Sequence, residues 1–442
     1  MAKHHFFIYF LLLICFAACS PAHKVAKAEH HFLQDTAVRN AHVGISIYDA
    51  AKNRYVYNYQ GDHYFTPASN TKLFTCYAAM KYLGDSIIGL RYYASPDTLY
   101  LLPTGDPTLL YHDFAINPVF DFLKANTKPV SISDAYWKDK RWGEGWSWDD
   151  YMEDYMAERN PMPVYGNVAH TTFTYDSAGS ITNSSFHFSQ TPNVTKGVSY
   201  TINPDLERPA IFRSLDVDSF SIDYPLNNRS WQNDVPFTTH GISTAVQLLG
   251  NEHWVINHNI PSSPLTAYKK LYSQALDSML KPMMHRSDNF YAEQALLMVS
   301  NELPGYMNDA AIIDTLLKTD LKDLPQKPSW ADGSGLSRFN LFTPEDIVTL
   351  LFKMKNEFGL ERMHNILPKG NTGTLEGLYK QTGNDIFAKT GTLNGVVALS
   401  GYLKCKSGKL LLFSVLVNNH TGRASAVRKA IEGFITNIWE KY

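Results

Sequence analysis

The sequence predicts an α+β fold: an antiparallel sheet of about five strands flanked by helices, with a large β-rich insertion. Three observations carry this. His42–Asp49 and Arg54–Tyr59 alternate apolar and polar residues on either side of the turn Lys52-Asn53, as half-buried strands of a hairpin do. Three more strands crowd the C-terminus, Asp385–Thr392, Val396–Lys404 and Leu410–Val417, joined by turns containing Asn394-Gly395 and Ser407-Gly408. Between these groups, from about Ser95 to Pro264, the texture changes to short strand-like runs, many turn residues and a tryptophan cluster at Trp137, Trp142, Trp146 and Trp148.

The chain has 442 residues, long enough for more than one domain, with 44% hydrophobic and 19% charged residues. A formal net charge of −2 argues against a broad nucleic-acid surface, and no nucleic-acid partner is expected. The first element is not part of the fold. Lys3 precedes the unbroken apolar run Phe6–Phe16, which is shorter than the ~20 residues needed to span a bilayer but suits the core of a signal peptide. The run ends Phe16-Ala17-Ala18-Cys19, small residues directly before a cysteine, which resembles a bacterial lipoprotein cleavage site. Residues 1–18 are therefore expected to be a signal peptide, Cys19 the lipidated first residue, and 19–30 a linker.

The catalytic domain is expected in two parts, 31–95 and 263–442, around a β-rich insertion of residues 96–262. In the first part the hairpin is followed by Thr66-Pro-Ala-Ser-Asn-Thr-Lys-Leu-Phe-Thr75. Pro67 suits a first helical turn, Thr66 can cap it, and Gly84 offers a stop. Leu73 to Leu83 is apolar or aromatic nearly all round, so this helix should be buried. The insertion reads as strands at Thr98–Leu102, Thr171–Tyr175, Phe186–Phe188 and Ser219–Tyr224. Trp148-Asp-Asp150 reads as a satellite core with a polar turn in preference to a sugar- or peptide-binding site. Tyr268–Leu280 and the run after Ser287 through Val299 read as helices, and Ala424–Trp439 closes the chain as an amphipathic helix. That helix should cover one face of the sheet and the Ser69 helix the other. Cys76 and Cys405 read as two thiols packed as small hydrophobes.

Ser69 and Lys72 stand three apart, so their side chains share one face of a helix's first turn. Burial and the positive helix end both disfavour a charged lysine there, and a neutral lysine can take the serine proton. One Ser-x-x-Lys is weak evidence. Ser278-Met-Leu-Lys281 is a second copy, followed at once by Pro282, and its lysine reads as capping a helix end. Two other strings raise Ser69 above it: Ser287-Asp-Asn289, in a break between helices, and Lys389-Thr-Gly391, on the strand that begins a hairpin. Alone, the first would be a helix cap and the second a solvated strand lysine. The sixteen histidines show no His-Glu-x-x-His and no paired ligand spacing, so neither metal nor other cofactor is expected.

In this order the three strings resemble the motif set of penicillin-binding proteins and class A β-lactamases. Met284-His-Arg-Ser-Asp-Asn-Phe-Tyr-Ala-Glu293, Asp332-Gly-Ser-Gly-Leu-Ser-Arg338 with Asn340, and Lys389-Thr-Gly-Thr-Leu-Asn-Gly-Val-Val-Ala-Leu-Ser-Gly-Tyr402 narrow the resemblance to class C low-molecular-mass penicillin-binding proteins. These are D-alanyl-D-alanine carboxypeptidases and endopeptidases that trim peptidoglycan, and they carry a large insertion between the first two motifs. Gly105-Asp-Pro-Thr-Leu109 is similar to the family's entry into that insertion, whereas the tryptophan-rich run departs from the pattern.

The resemblance implies a penicillin-binding-protein or β-lactamase-like fold and an exported, periplasmic or cell-envelope bacterial lipoprotein. Its implied partners are peptidoglycan stem peptides, β-lactam antibiotics and, through Cys19, the membrane. It implies that Ser69 forms the acyl-enzyme, Lys72 is general base, Ser287 relays a proton with Lys389 in support, and Asn289 bonds the substrate's backbone amide. Lys389 and Thr390 would meet the terminal carboxylate, Gly391 would admit the substrate to the strand edge, and the N–H groups of Ser69 and Thr392 would form the oxyanion hole. A β-lactamase or esterase on the same fold and a non-catalytic cell-surface binding protein are the alternatives. The large insertion speaks against a compact β-lactamase, and the intact motifs speak against loss of turnover. Glu361-Arg-Met-His-Asn365 matches the Glu-x-x-x-Asn pattern of class A enzymes, but Leu360, Met363, Ile366 and Leu367 fall at helical spacing and turn Glu361 to water.

Overall fold

The computed structural model describes residues 30–175, 186–225, 229–250, 252–260 and 264–442. The expected signal peptide, Cys19 and all but the last residue of the linker lie outside them. Two compact units share the chain: one holds the residues up to Tyr77 with Leu280–Asp288 and Ile313–Tyr442, the other Ala78–Met279 with Asn289–Ile312. No helix of the described residues is long and apolar enough to cross a membrane.

The N-terminal hairpin is as read: β1 (His42–Asp49) pairs antiparallel with β2 (Arg54–Tyr59). The Ser69 segment differs in detail. Ala68–Thr71 is a 3₁₀ turn that runs directly into α1 (Lys72–Tyr82), and Pro67 takes the N-cap position with no side-chain cap. Thr66 is held differently from a cap, its N–H donating to Asn418 Oδ1 at 2.8 Å. Leu73 to Met80 are all buried, as all-round apolarity requires.

In the second unit, β3 (Ser86–Ala94), β4 (Leu99–Pro103), α2 (Pro118–Ala125) and β5 (Val130–Ser133) come first. Six strands follow: β6 (Val168–Tyr175), β7 (Phe186–Thr191), β8 (Gly197–Ile202), β9 (Ala210–Arg213), β10 (Ser219–Tyr224) and β11 (Trp231–Pro236). After α3 (Ser243–Leu249) come β12 (Trp254–Asn257) and β13 (Lys269–Ala275), then α4 (Leu276–His285) and α5 (Asn289–Glu302). They build a mixed sheet in the order β12-β5-β4-β3-β13 and two three-stranded sheets, β11-β6-β7 and β8-β10-β9. Phe173, Ile222 and Tyr224 form a small core between the latter two.

Two readings are corrected here. Lys269–Ala275 is a strand, antiparallel to β3, where a helix was expected; its residues have no strong local preference, and pairing with β3 decides. Trp148 is 75% exposed on a short 3₁₀ turn instead of joining a satellite core.

The chain continues with α6 (Asp309–Lys318), α7 (Pro344–Phe358), α8 (Leu360–Ile366), β14 (Ile386–Leu393), β15 (Val396–Lys404), β16 (Leu410–Asn418) and α9 (Ala424–Lys441). The first unit's sheet has the order β14-β15-β16-β1-β2, five strands, antiparallel throughout. One face packs Val43, Ile45, Phe413 and Val415 against Val427, Ile431, Phe434 and Ile435 of α9, as expected.

The other face is covered mainly by α7, which the sequence reading had not singled out. Thr343 and Asp346 form its capping box, and Tyr402 of β15 donates its hydroxyl to Leu351 O at 2.7 Å. The 3₁₀ turn of Ala68–Thr71 contacts β14 and β15. Residues of one register row share a face, so Lys389, Ser400, Ser414 and Ser46 form a buried polar row across four strands. In α8, Glu361 is exposed while Met363 and Ile366 are buried.

Candidate active site

The site is built on two strained backbone positions. Ala68, directly before Ser69, has φ 47°, and Ser287 has φ 64°, a region L-residues avoid. Such strain persists only where surrounding structure enforces it, and it clusters at functional positions.

Lys72 is fully buried. Its Nζ donates to Ser69 Oγ at 2.9 Å and to the carbonyl of Ser334 at 2.8 Å. A carbonyl can only accept, so Ser334 aims the amine at the serine. The loop Asp332–Asn340 is rigid enough to do this. Asp332 accepts from the N–H groups of Gly335 at 2.7 Å and Ser337 at 2.6 Å and from the Asn340 amide at 2.8 Å. Thr75 of α1 ties in by donating to Gly333 O at 2.6 Å. Gly335 has φ 82°, and a Cβ there would stand 1.9 Å from Ala68 O, so the turn holding Ser69 rests directly on this glycine. The sequence quoted this loop as part of a resemblance and, alone, as a turn; its work in aiming Lys72 joins residues too far apart in the chain to be read together.

Lys389 is also fully buried. Its Nζ donates to Ser287 Oγ at 2.9 Å and to Thr390 O at 2.8 Å. Desolvation holds its pKa well below the usual lysine range, and the charge of Lys72 adds to the shift. Asn70, which no sequence argument picked out, joins the two halves: its side-chain amide donates to Lys389 O at 3.0 Å. Its own Oδ1 is buried without a hydrogen-bond partner among the described residues.

Gly391 also serves the fold, because a Cβ there would lie 2.6 Å from Pro67 O. Thr392 Oγ1 accepts from Arg428 at 2.8 Å. Pro368–Gly370 covers the outer edge of β14 at its start, through Ala388 N to Pro368 O and Gly370 N to Ile386 O. Alternation along an antiparallel strand then turns the N–H groups of Thr390 and Thr392 toward the same outer side.

Asn289 opens α5 in the second unit, where its amide donates to Tyr155 O at 3.1 Å. Ser278 is exposed, and its hydroxyl donates to Ala275 O at 2.6 Å. The first unit therefore brings together Ser69, Lys72, Ser287 and Lys389 and leaves the second Ser-x-x-Lys in solvent. Cys76 and Cys405 are both buried. Replacing Asn70 by leucine should slow acylation by a penicillin ~10- to 100-fold, because the two lysine-serine pairs lose their register. The stopped-flow rate measures this, and an unchanged rate would remove Asn70 from the site.

Comparison with known proteins bears on the family and the fold. The D-Ala-D-Ala carboxypeptidase 3 (S13) family matches residues 25–233 and 247–438. The chain is 26% identical to a D-alanyl-D-alanine carboxypeptidase of Actinomadura sp., over 90% of this chain and 82% of the relative. It is also 26% identical to the D-alanyl-D-alanine carboxypeptidase DacB of Haemophilus influenzae, over 86% of each. The crystal structure of penicillin binding protein 4 (dacB) from Haemophilus influenzae has the same fold, with a TM-score of 0.74 at 20% identity, over 93% of this chain and 98% of that one. With most of its length matched, this chain belongs to the D-Ala-D-Ala carboxypeptidase 3 (S13) family, the serine-type carboxypeptidases of the class C low-molecular-mass penicillin-binding proteins.

Proposed function

We propose that this chain removes the terminal D-alanine from peptidoglycan stem peptides through an acyl-enzyme on Ser69. The observation that carries the reading is the pair of buried lysine-serine contacts, Lys72 Nζ to Ser69 Oγ and Lys389 Nζ to Ser287 Oγ, each 2.9 Å. Lys72 takes the proton from Ser69 as Oγ attacks the carbonyl of the penultimate D-alanine. The N–H groups of Ser69 and Thr392 hold the developing oxyanion. Ser287, supported by Lys389, passes the proton to the leaving amine, so the peptide bond breaks and D-alanine departs. Water then hydrolyses the ester.

In this reading Lys389 and Thr390 bind the terminal carboxylate, Gly391 leaves the strand edge open, and Asn289 hydrogen-bonds the substrate's backbone amide. The catalytic domain is residues 31–95 and 263–442, and 96–262 is the insertion. Penicillins acylate the same serine. The deciding experiment is labelling with a fluorescent penicillin followed by an assay of D-alanine release from an acyl-Lys-D-Ala-D-Ala peptide. Labelling without release would return the site to a binding role.

The same proposal makes the protein an exported lipoprotein anchored at Cys19. Cys19→Ser should move it from the membrane fraction to the soluble one. A native protein already soluble would end that part of the proposal.

A further inference from the structure

The first unit carries one charged side chain at β14 that the reaction outlined above does not use. Arg428, half-buried on α9, donates from its guanidinium to Thr392 Oγ1 at 2.8 Å. With Thr390, Leu399 and Ile431 it lines a crevice between α9 and the outer strands of the sheet. Thr390 and Thr392 stand two apart on β14, opposite Leu399 and Val397, so their side chains share the face that α9 covers.

An arginine bonded to a surface threonine is by itself commonplace. Three features set this one apart. A guanidinium can only donate, so the Thr392 hydroxyl must accept, and its own hydrogen is left to donate elsewhere. Among the described residues nothing accepts that hydrogen. Next, the carboxylate one helical turn along from Arg428, Glu432, is engaged with Lys429 Nζ at 2.8 Å and with the N–H of Tyr379. No carboxylate among the described residues pairs with Arg428, and the first turn of α9 carries no acid. The third feature concerns Lys389. That amine is fully buried and already donates to Ser287 Oγ and Thr390 O, and desolvation holds its pKa down. It therefore lends little charge to an anion at the strand edge, whereas a guanidinium carries its charge at every working pH.

We propose that Arg428 and the hydroxyl of Thr392 clamp the terminal carboxylate of the peptide at the β14 edge, which makes Arg428 the residue that sets the demand for a free C-terminus. The inference rests on the reading that this edge receives the carboxylate. It adds a side chain from α9 to a subsite otherwise built from β14. One N–H of the guanidinium fixes Thr392 as a donor, and the remaining N–H groups are left for the anion. Charge-assisted bonds of this kind are the strong ones, and arginine's planar fork suits a two-oxygen acceptor.

The test uses two peptides, acyl-Lys-D-Ala-D-Ala and the same peptide ending in a C-terminal amide. Wild type should prefer the free acid by at least ~100-fold in kcat/KM, since the amide leaves the clamp without its anion. Arg428→Gln should lower kcat/KM for the acid ~30-fold and leave the amide within about twofold, so that the preference falls to a few-fold. Arg428→Lys keeps the charge without the fork, guards against a variant that fails to fold, and should retain an intermediate preference. Equal losses on both peptides, or a preference intact in Arg428→Gln, would overturn the role of Arg428. A wild type that releases D-alanine and D-alaninamide equally well through Ser69 would instead overturn the reading of the edge as the carboxylate subsite, and the role of Arg428 with it.

Discussion

Ser69→Ala should abolish labelling by fluorescent penicillin and release of D-alanine together, by at least ~10⁴-fold. Removal of Oγ deletes the atom that forms the acyl bond, and no neighbour replaces it: Lys72 remains fixed to Ser334 O, and Ser287 remains fixed to Lys389. The loss should be chemical and not structural. Ser69 is only half buried, and the turn around it is held by Asn70 and by the contact with Gly335, so the melting temperature should move by no more than ~2 °C. Ser278→Ala is the matched control, because that serine stands in the same Ser-x-x-Lys spacing but in solvent. Label that survives Ser69→Ala, or disappears in Ser278→Ala, would assign the nucleophile wrongly.

Lys389→Met should have the second largest effect, and in opposite directions on activity and stability. Activity should fall at least ~10³-fold, because the amine held at Ser287, which the proposed reaction needs, is gone. Stability should rise by about 0.5–2 kcal/mol, since methionine fills a similar volume without a charge to desolvate. The sign with pH follows from the depressed folded-state pKa of Lys389. Between that pKa and the ordinary lysine value, the unfolded chain binds more protons than the folded one, so stability climbs as pH rises through the window. Below it, the folded protein must carry a buried ammonium. Wild type should therefore lose stability as pH is lowered through this window, and Lys389→Met should lose less. Thermal melts at several pH values measure both slopes. A variant that melts lower than wild type, with an unchanged slope, would sink the argument.

The sequence disclosed what local pattern controls. Strand-favouring runs bounded by turns at glycine or asparagine located β1, β2 and the C-terminal strands almost to the residue, although β15 and β16 are buried on both faces. The motif residues stood out through chain order. Lys269–Ala275 was illegible because its partner, β3, lies far back in the chain, and pairing overrides its weak preference. Asn70, Ser334, Gly335 and Arg428 were illegible for a related reason. Each acts through an atom on a distant segment: the Lys389 carbonyl, the Lys72 amine, the Ala68 carbonyl and the Thr392 hydroxyl. Nothing in the residues themselves announces such a partner.

The half-covered edge of β14 carries a cost for the protein in solution. Pro368–Gly370 closes its start, and among the described residues no strand closes the remainder. An open edge is where one chain can recruit another. Here the opening is confined to the few residues around Thr390–Thr392, too short to nucleate a lasting strand pair between two molecules and just long enough to receive the end of a short peptide. Trimming Pro368–Gly370 would lengthen the bare edge and should favour self-association over catalysis. The brevity of the gap is itself a solubility device.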